Sequence, residues 1–129
     1  MSDKKVVRVL YIDDNPAKSV LKELFEDAGF QPEIKVIYSF EDIMGLASIV
    51  AEYRDFDVAF LDFNLFGRNS LELGLVQALN DIGFRKGEKP LVACSMDSDS
   101  NKELIKAGCT HKTDSFHENH LREVFSILR

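Results

Sequence analysis

Hydrophobic residues along this chain follow two rhythms. Short, nearly unbroken apolar runs alternate with longer stretches in which apolar positions recur every three or four residues. The runs at 6–12, 34–38, 57–63 and 90–95, with a weaker one at 109–115, predict five strands buried on both faces. The stretches between them predict helices. Residues 17–28 place Ala17, Val20, Leu21, Leu24, Phe25 and Ala28 in helical step, and 41–54 do the same with Ile43, Ala47, Val50 and Tyr53. Residues 70–82 carry Leu71, Leu75, Ala78, Leu79 and Ile82. A short helix is expected over roughly 99–107, and a last one over 119–129 with Leu121, Val124, Phe125 and Leu128.

The punctuation agrees with this division. Pro16 is placed to open the first helix, Ser39 to cap the second, and Gly29 and Gly108 to close the first and fourth. Ser98, Asp99, Ser100 and Asn101 read as a polar capping turn. Residues 64–69 and 83–89 are loops. Strands alternating with helices predict an α/β domain, a doubly wound five-stranded parallel sheet with helices on both faces.

Several strands run directly into polar groups. The first ends in Asp13-Asp14, the third in Asp62 and the fourth in Ser95. In a parallel sheet these side chains collect at one edge, the edge where open α/β sheets bind ligands. Three carboxylates brought together repel one another, and a divalent cation removes the repulsion. Oxygen donors of this kind select magnesium, which keeps several waters and shares its remaining positions with phosphate oxygens. A hydroxyl beside such a site can bond a phosphoryl oxygen, and an aspartate can itself be the nucleophile of phosphoryl transfer.

Composition narrows the classes. The chain has 129 residues, one domain's worth, and 45 % of them are hydrophobic. Its net charge of −6 argues against nucleic-acid binding, which needs a basic footprint. Cys94 and Cys109 read as isolated small apolar residues. The start, Met1-Ser2-Asp3-Lys4-Lys5 before a short apolar run, does not resemble a signal peptide. No apolar run approaches the roughly 20 residues of a membrane span. The expectation is a cytoplasmic protein with no membrane partner.

With Asp13-Asp14, Asp62 and Ser95 at successive strand ends, the chain resembles the receiver domains of two-component response regulators. The resemblance covers nearly the whole length and implies a flavodoxin-like sheet in the order 2-1-3-4-5. It implies a single receiver domain over 1–129 with no output domain. Asp62 would accept a phosphoryl group from a sensor histidine kinase or a histidine phosphotransfer protein. Asp14, Asp62 and the backbone carbonyl of Asn64 would hold magnesium, with Asp13 acting through a water or positioning the metal. Ser95 would bond a phosphoryl oxygen and shift inward, changing a face read by a downstream protein. The protein would promote its own phosphorylation and dephosphorylation and not be an enzyme in the ordinary sense.

The chain also departs from the family. The lysine expected at the end of the fifth strand has Lys112 as its nearby candidate, followed by Thr113 where proline is usual. An ungapped count instead puts Ser115 and Phe116 at those two positions. The aromatic switch residue is not evident, with Cys109 or His111 near its place. These departures motivate the alternative of a degenerate receiver that binds a partner protein without phosphorylation. A phosphohydrolase of another α/β family is disfavoured by Asn64, which stands where a second carboxylate would be needed. Phe63 and Phe66 read as packing and Arg68 as a solvated loop residue. Cys109, His111, His117 and His120 lie close together but fit no common zinc spacing.

Overall fold

In a computed structural model that describes residues 4–14, 16–62, 69–95 and 97–129 (the side chains of 69–72 and 98 excepted), the apolar runs form five strands. These are β1 (Lys5–Ile12), β2 (Phe30–Ile37), β3 (Val58–Leu61), β4 (Leu91–Ala93) and β5 (His111–Lys112). The helices are α1 (Lys18–Asp27), α2 (Phe40–Ile49), α3 (Asn69–Asp81), α4 (Ser98–Ala107) and α5 (Arg122–Leu128). All neighbouring strands are parallel, in the order β2-β1-β3-β4-β5, which is the flavodoxin-like order.

Period-two alternation divides the sheet's side chains between two cores. Leu10 and Ile12 of β1, Ala59 and Leu61 of β3, and Leu91 and Ala93 of β4 face α2, α3 and α4, where they meet Ile43, Leu46, Leu75, Leu79 and Leu104. Val7, Val9, Tyr11, Val58, Phe60 and Val92 point the other way, onto Leu21 and Phe25 of α1 and Val124, Phe125 and Leu128 of α5. Phe25 anchors this second core through ring contacts with Phe30, Phe60 and Phe125. Both faces of β3, β4 and the carboxyl half of β1 are therefore dry, which is why these segments read as continuous apolar runs.

The elements differ from expectation mostly at their ends. β2 starts at Phe30, four residues earlier than its apolar run, because alternation of exposed and half-buried side chains suffices on an edge strand. Pro32 sits within it, tolerated because an edge has one side free of pairing. Pro16 lies outside α1, whose N-cap is Ala17. Ser39 does cap α2, its Oγ accepting the Asp42 N–H at 3.2 Å. The buried face of α2 is Ile43 and Leu46, with Ala47 turned to solvent, and residues Val50–Tyr53 tighten into a 3₁₀ turn. A second 3₁₀ turn, Glu118–Leu121, leads into α5. β5 shrinks from the expected seven residues to two.

Gly108 closes α4 with φ of 132°, a region closed to most side chains. A β-carbon there would lie 2.3 Å from Asn80 Oδ1, and Asn80 is held by donating Nδ2 to the carbonyls of Phe84 at 2.7 Å and Gly108 at 3.1 Å. Gly108→Ala is expected to cost about 1–3 kcal/mol, seen as a lower melting temperature in scanning calorimetry. Gly45→Ala, inside α2 with nothing within 4 Å, should instead raise stability by up to about 1 kcal/mol.

Candidate metal centre

Four strands stop at a common level. Ile12 pairs with Leu61, Leu61 with Ala93, and Ala93 with Lys112. The backbone ladder then runs one residue further. Asp13 N–H donates to the Ile37 carbonyl at 3.1 Å, Asp62 N–H to Ile12 at 3.0 Å, Cys94 N–H to Leu61 at 3.0 Å and Thr113 N–H to Ala93 at 2.8 Å. Asp13, Asp62, Cys94 and Thr113 are thus fixed on one row along the carboxyl edge of the sheet.

On that row the acidic groups converge. Asp13, Asp14 and Asp62 each offer a carboxylate oxygen, and the three oxygens lie within 4.8 Å of one another. Among the described residues this is the one cluster of three side chains able to hold a metal ion. Asp13 is 8 % exposed, while Asp14 and Asp62 are half-buried, so the cluster opens to solvent on one side. The donor set is all oxygen and anionic, which suits a hard divalent cation. Asn64 lies outside the described residues, as do Phe63, Phe66 and Arg68.

Two residues to which the sequence assigns no part in the site build the walls. Tyr11 is buried beneath Asp13. Its hydroxyl donates to Asp13 Oδ2 at 3.0 Å and accepts the Ala17 N–H at 3.1 Å. Burial, with smaller help from Cys94 and Asp13, pushes the phenol far above its ordinary value, so it remains a donor. Asn101 is the other. It lies one turn inside α4 and is 1 % exposed, not part of a solvated cap, which Asp97 supplies instead. Its Oδ1 accepts the Ser95 N–H at 2.8 Å, and its Nδ2 donates to the carbonyls of Ser95 at 2.8 Å and Thr113 at 3.1 Å. The sequence held a faint signal for Asn101, its three-residue spacing from Leu104 on the inward face. Tyr11 carried a comparable one, a polar-tipped aromatic two residues before the acidic pair.

Ser95 follows Cys94, which places it beside the row on the β4 side. It is buried, and its Oγ accepts the Asp97 N–H at 3.1 Å, leaving the hydroxyl hydrogen as the group it can donate. Lys112 is exposed on β5 and lines two grooves, one of about 270 Å³ with Asn101, Thr113, Asp114 and His120, and one of about 540 Å³ between α4, β5 and α5. Phe116 packs edge-on against Tyr11 and Phe60. His111 is held between Thr110 Oγ1 at 2.7 Å and Glu123 at 3.3 Å, and His117 and His120 stand exposed with ring centroids 5.7 Å apart.

Both cysteines are free thiols. Burial pushes Cys109 up to about 12. Burial also raises Cys94, with the nearby negative charges of Asp62 and Asp13 adding to it. A thiol whose folded value exceeds its unfolded one contributes stability that is intact below the unfolded value and lost as pH rises above it. Alkaline titration should therefore leave stability flat up to about pH 8.5 and then erode it by up to about 1.4 kcal/mol per pH unit per thiol, measured by urea unfolding. Substituting both cysteines with Ala should flatten that limb up to about pH 10, above which the raised Tyr11 adds its own loss.

No helix among the described residues is long and apolar enough to cross a membrane. No protein-family model matches the chain, and no curated protein matches it. Among solved structures, it is similar to a chain from Burkholderia thailandensis E264 described as a pilus assembly protein (CpaE), with a TM-score of 0.64 at 14 % identity, over 93 % of this chain and 95 % of that one. The likeness establishes the shared fold, which in this chain is a parallel α/β sheet in the order 2-1-3-4-5.

Proposed function

We propose that the chain is a receiver-type phosphoacceptor that takes a phosphoryl group on Asp62 and acts through contacts with another protein. The observation that carries this reading is the convergence of Asp13, Asp14 and Asp62 within 4.8 Å at the edge where Ser95 also lies. The donor would be a phosphohistidine on a sensor kinase or a phosphotransfer protein. An Asp62 carboxylate oxygen forms the new bond to phosphorus as the phosphorus–nitrogen bond breaks, and the leaving imidazole keeps the electron pair and takes a proton. Phosphoryl transfer asks the protein chiefly for positioning and charge stabilisation. Asp13, Asp14 and Asp62 would hold the cation, and magnesium, when bound, would neutralise the incoming phosphate charge. Ser95 donates its hydroxyl hydrogen to a phosphoryl oxygen.

A second reading has its own support. β5 spans two residues and Lys112 is exposed, so among the described residues no buried lysine or arginine supplies the cation that receivers direct at the phosphoryl group. A receiver lacking it would serve as a phosphorylation-independent binding module.

Incubation with magnesium and a small acyl phosphate separates these readings. One phosphate per chain by intact mass is the expected result. Retained magnesium binding with no adduct supports the binding module, and sustained turnover of unrelated phosphate esters supports a hydrolase. Lys112→Ala is expected to shorten or lengthen the lifetime of the phosphate only if Lys112 reaches it. An unchanged lifetime removes that lysine from the site.

A further inference from the structure

We infer that Tyr11 is a positioning residue for the metal centre, its hydroxyl holding Asp13 in the orientation that a cation requires. The inference rests on the metal reading above and assigns a role to a residue outside the acidic cluster. The direction of the hydrogen bonds is set by counting. The Ala17 N–H can only donate, so the phenol oxygen accepts there. The hydroxyl has a single hydrogen, and its remaining short contact is Asp13 Oδ2 at 3.0 Å. The chain runs one way, from backbone N–H to phenol to carboxylate, and bonds aligned in this manner reinforce one another.

The oxygen's position is fixed from behind. The Tyr11 ring is 1 % exposed and meets Phe60 and Phe116 edge-on, with centroids 6.4 and 5.7 Å away. A tyrosine so packed has little rotational freedom to lose, so its hydroxyl is placed before any ion arrives. Asp13 is itself nearly buried, yet it must present an oxygen toward Asp14 and Asp62. With Oδ2 bonded to the phenol, the carboxylate plane is set. The same hydroxyl ties the segment after the acidic pair to β1 through Ala17, the residue that caps α1. Groups that orient metal ligands from behind affect affinity by about 10–100-fold when removed.

The test is magnesium titration by calorimetry of the wild type, Tyr11→Phe and Phe125→Leu. Tyr11→Phe keeps the ring and removes the donor, and is expected to bind magnesium at least about 10-fold more weakly. Phe125→Leu perturbs the same core at a ring that meets Phe25 and Phe30 and not Tyr11, and is expected to bind like the wild type. Equal affinity in Tyr11→Phe overturns the inference, and equal weakening in both variants overturns it in favour of packing alone. Absence of magnesium binding in the wild type refutes the metal centre itself. A spectroscopic measurement guards against a poorly folded variant. The chain has three tyrosines and no tryptophan. In a Tyr38→Phe, Tyr53→Phe background the near-ultraviolet difference spectrum reports Tyr11 alone. A saturable magnesium-dependent change supports the inference, and a flat spectrum at saturation overturns it.

Discussion

Asp62→Asn should yield a protein that takes no phosphoryl group from an acyl phosphate and that is more stable than its parent in metal-free buffer. The first half follows from chemistry. An amide oxygen is a poor nucleophile and carries no charge to share with a cation, so the adduct seen by intact mass should vanish. The second half follows from electrostatics. Three carboxylates within 4.8 Å repel one another. Two unit charges at about 4 Å interact by about 4 kcal/mol at an effective dielectric of 20, and far less where water reaches them. Asp62 is half-buried and its neighbour Asp14 partly wet, so removal of its charge should stabilise the metal-free fold by about 1 kcal/mol. Added magnesium should reverse the order. A ligand at 100 times its dissociation constant stabilises by about 2.7 kcal/mol, and only the parent retains the full donor set. Urea unfolding with and without magnesium checks both signs. A persistent adduct, or a variant less stable than the parent without metal, would remove Asp62 from its assigned role.

Asn101→Ala should be the most damaging single-residue change on the β4 side of the site. The amide serves three backbone groups: the N–H and carbonyl of Ser95 and the carbonyl of Thr113. At 1 % exposure the amide is almost wholly shielded from solvent. An unsatisfied buried polar group costs about 1–3 kcal/mol, so the expected loss is about 3 kcal/mol or more. Asn101→Asp should be no milder. It keeps an acceptor for the Ser95 N–H but turns an oxygen toward two carbonyls, and buries a charge besides. Lys102→Ala, next door on the exposed side of α4, should change stability by less than about 0.5 kcal/mol. Urea midpoints at constant slope measure all three. If Asn101→Ala matches the Lys102 control, the clamp carries no weight.

Such a clamp shows what a linear reading can and cannot reach. Hydrophobic rhythm placed every strand and helix because burial on both sheet faces writes itself into Val58-Ala59-Phe60-Leu61 and its counterparts. The acidic ends were legible for the same reason, since a charge directly after a buried run is conspicuous. Edges were not. β2 is half wet and alternates, so its first four residues lie outside the apolar run. β5 is held by one pair of register partners on each of its residues and carries little apolar signal. Asn101 and Tyr11 escaped because their value lies in partners distant along the chain or across a strand end. Asn101 meets Thr113 twelve residues on, and only the fold brings them together.

The sheet's two borders have a consequence for crowded solutions. One border is a strand of two residues, the other an eight-residue strand interrupted by Pro32, which has no N–H to offer, and flanked by the charges of Glu33 and Lys35. A border needs a long run of open backbone groups to recruit a second sheet. Neither supplies one, so at high concentration this protein should resist the edge-to-edge stacking that seeds fibrils.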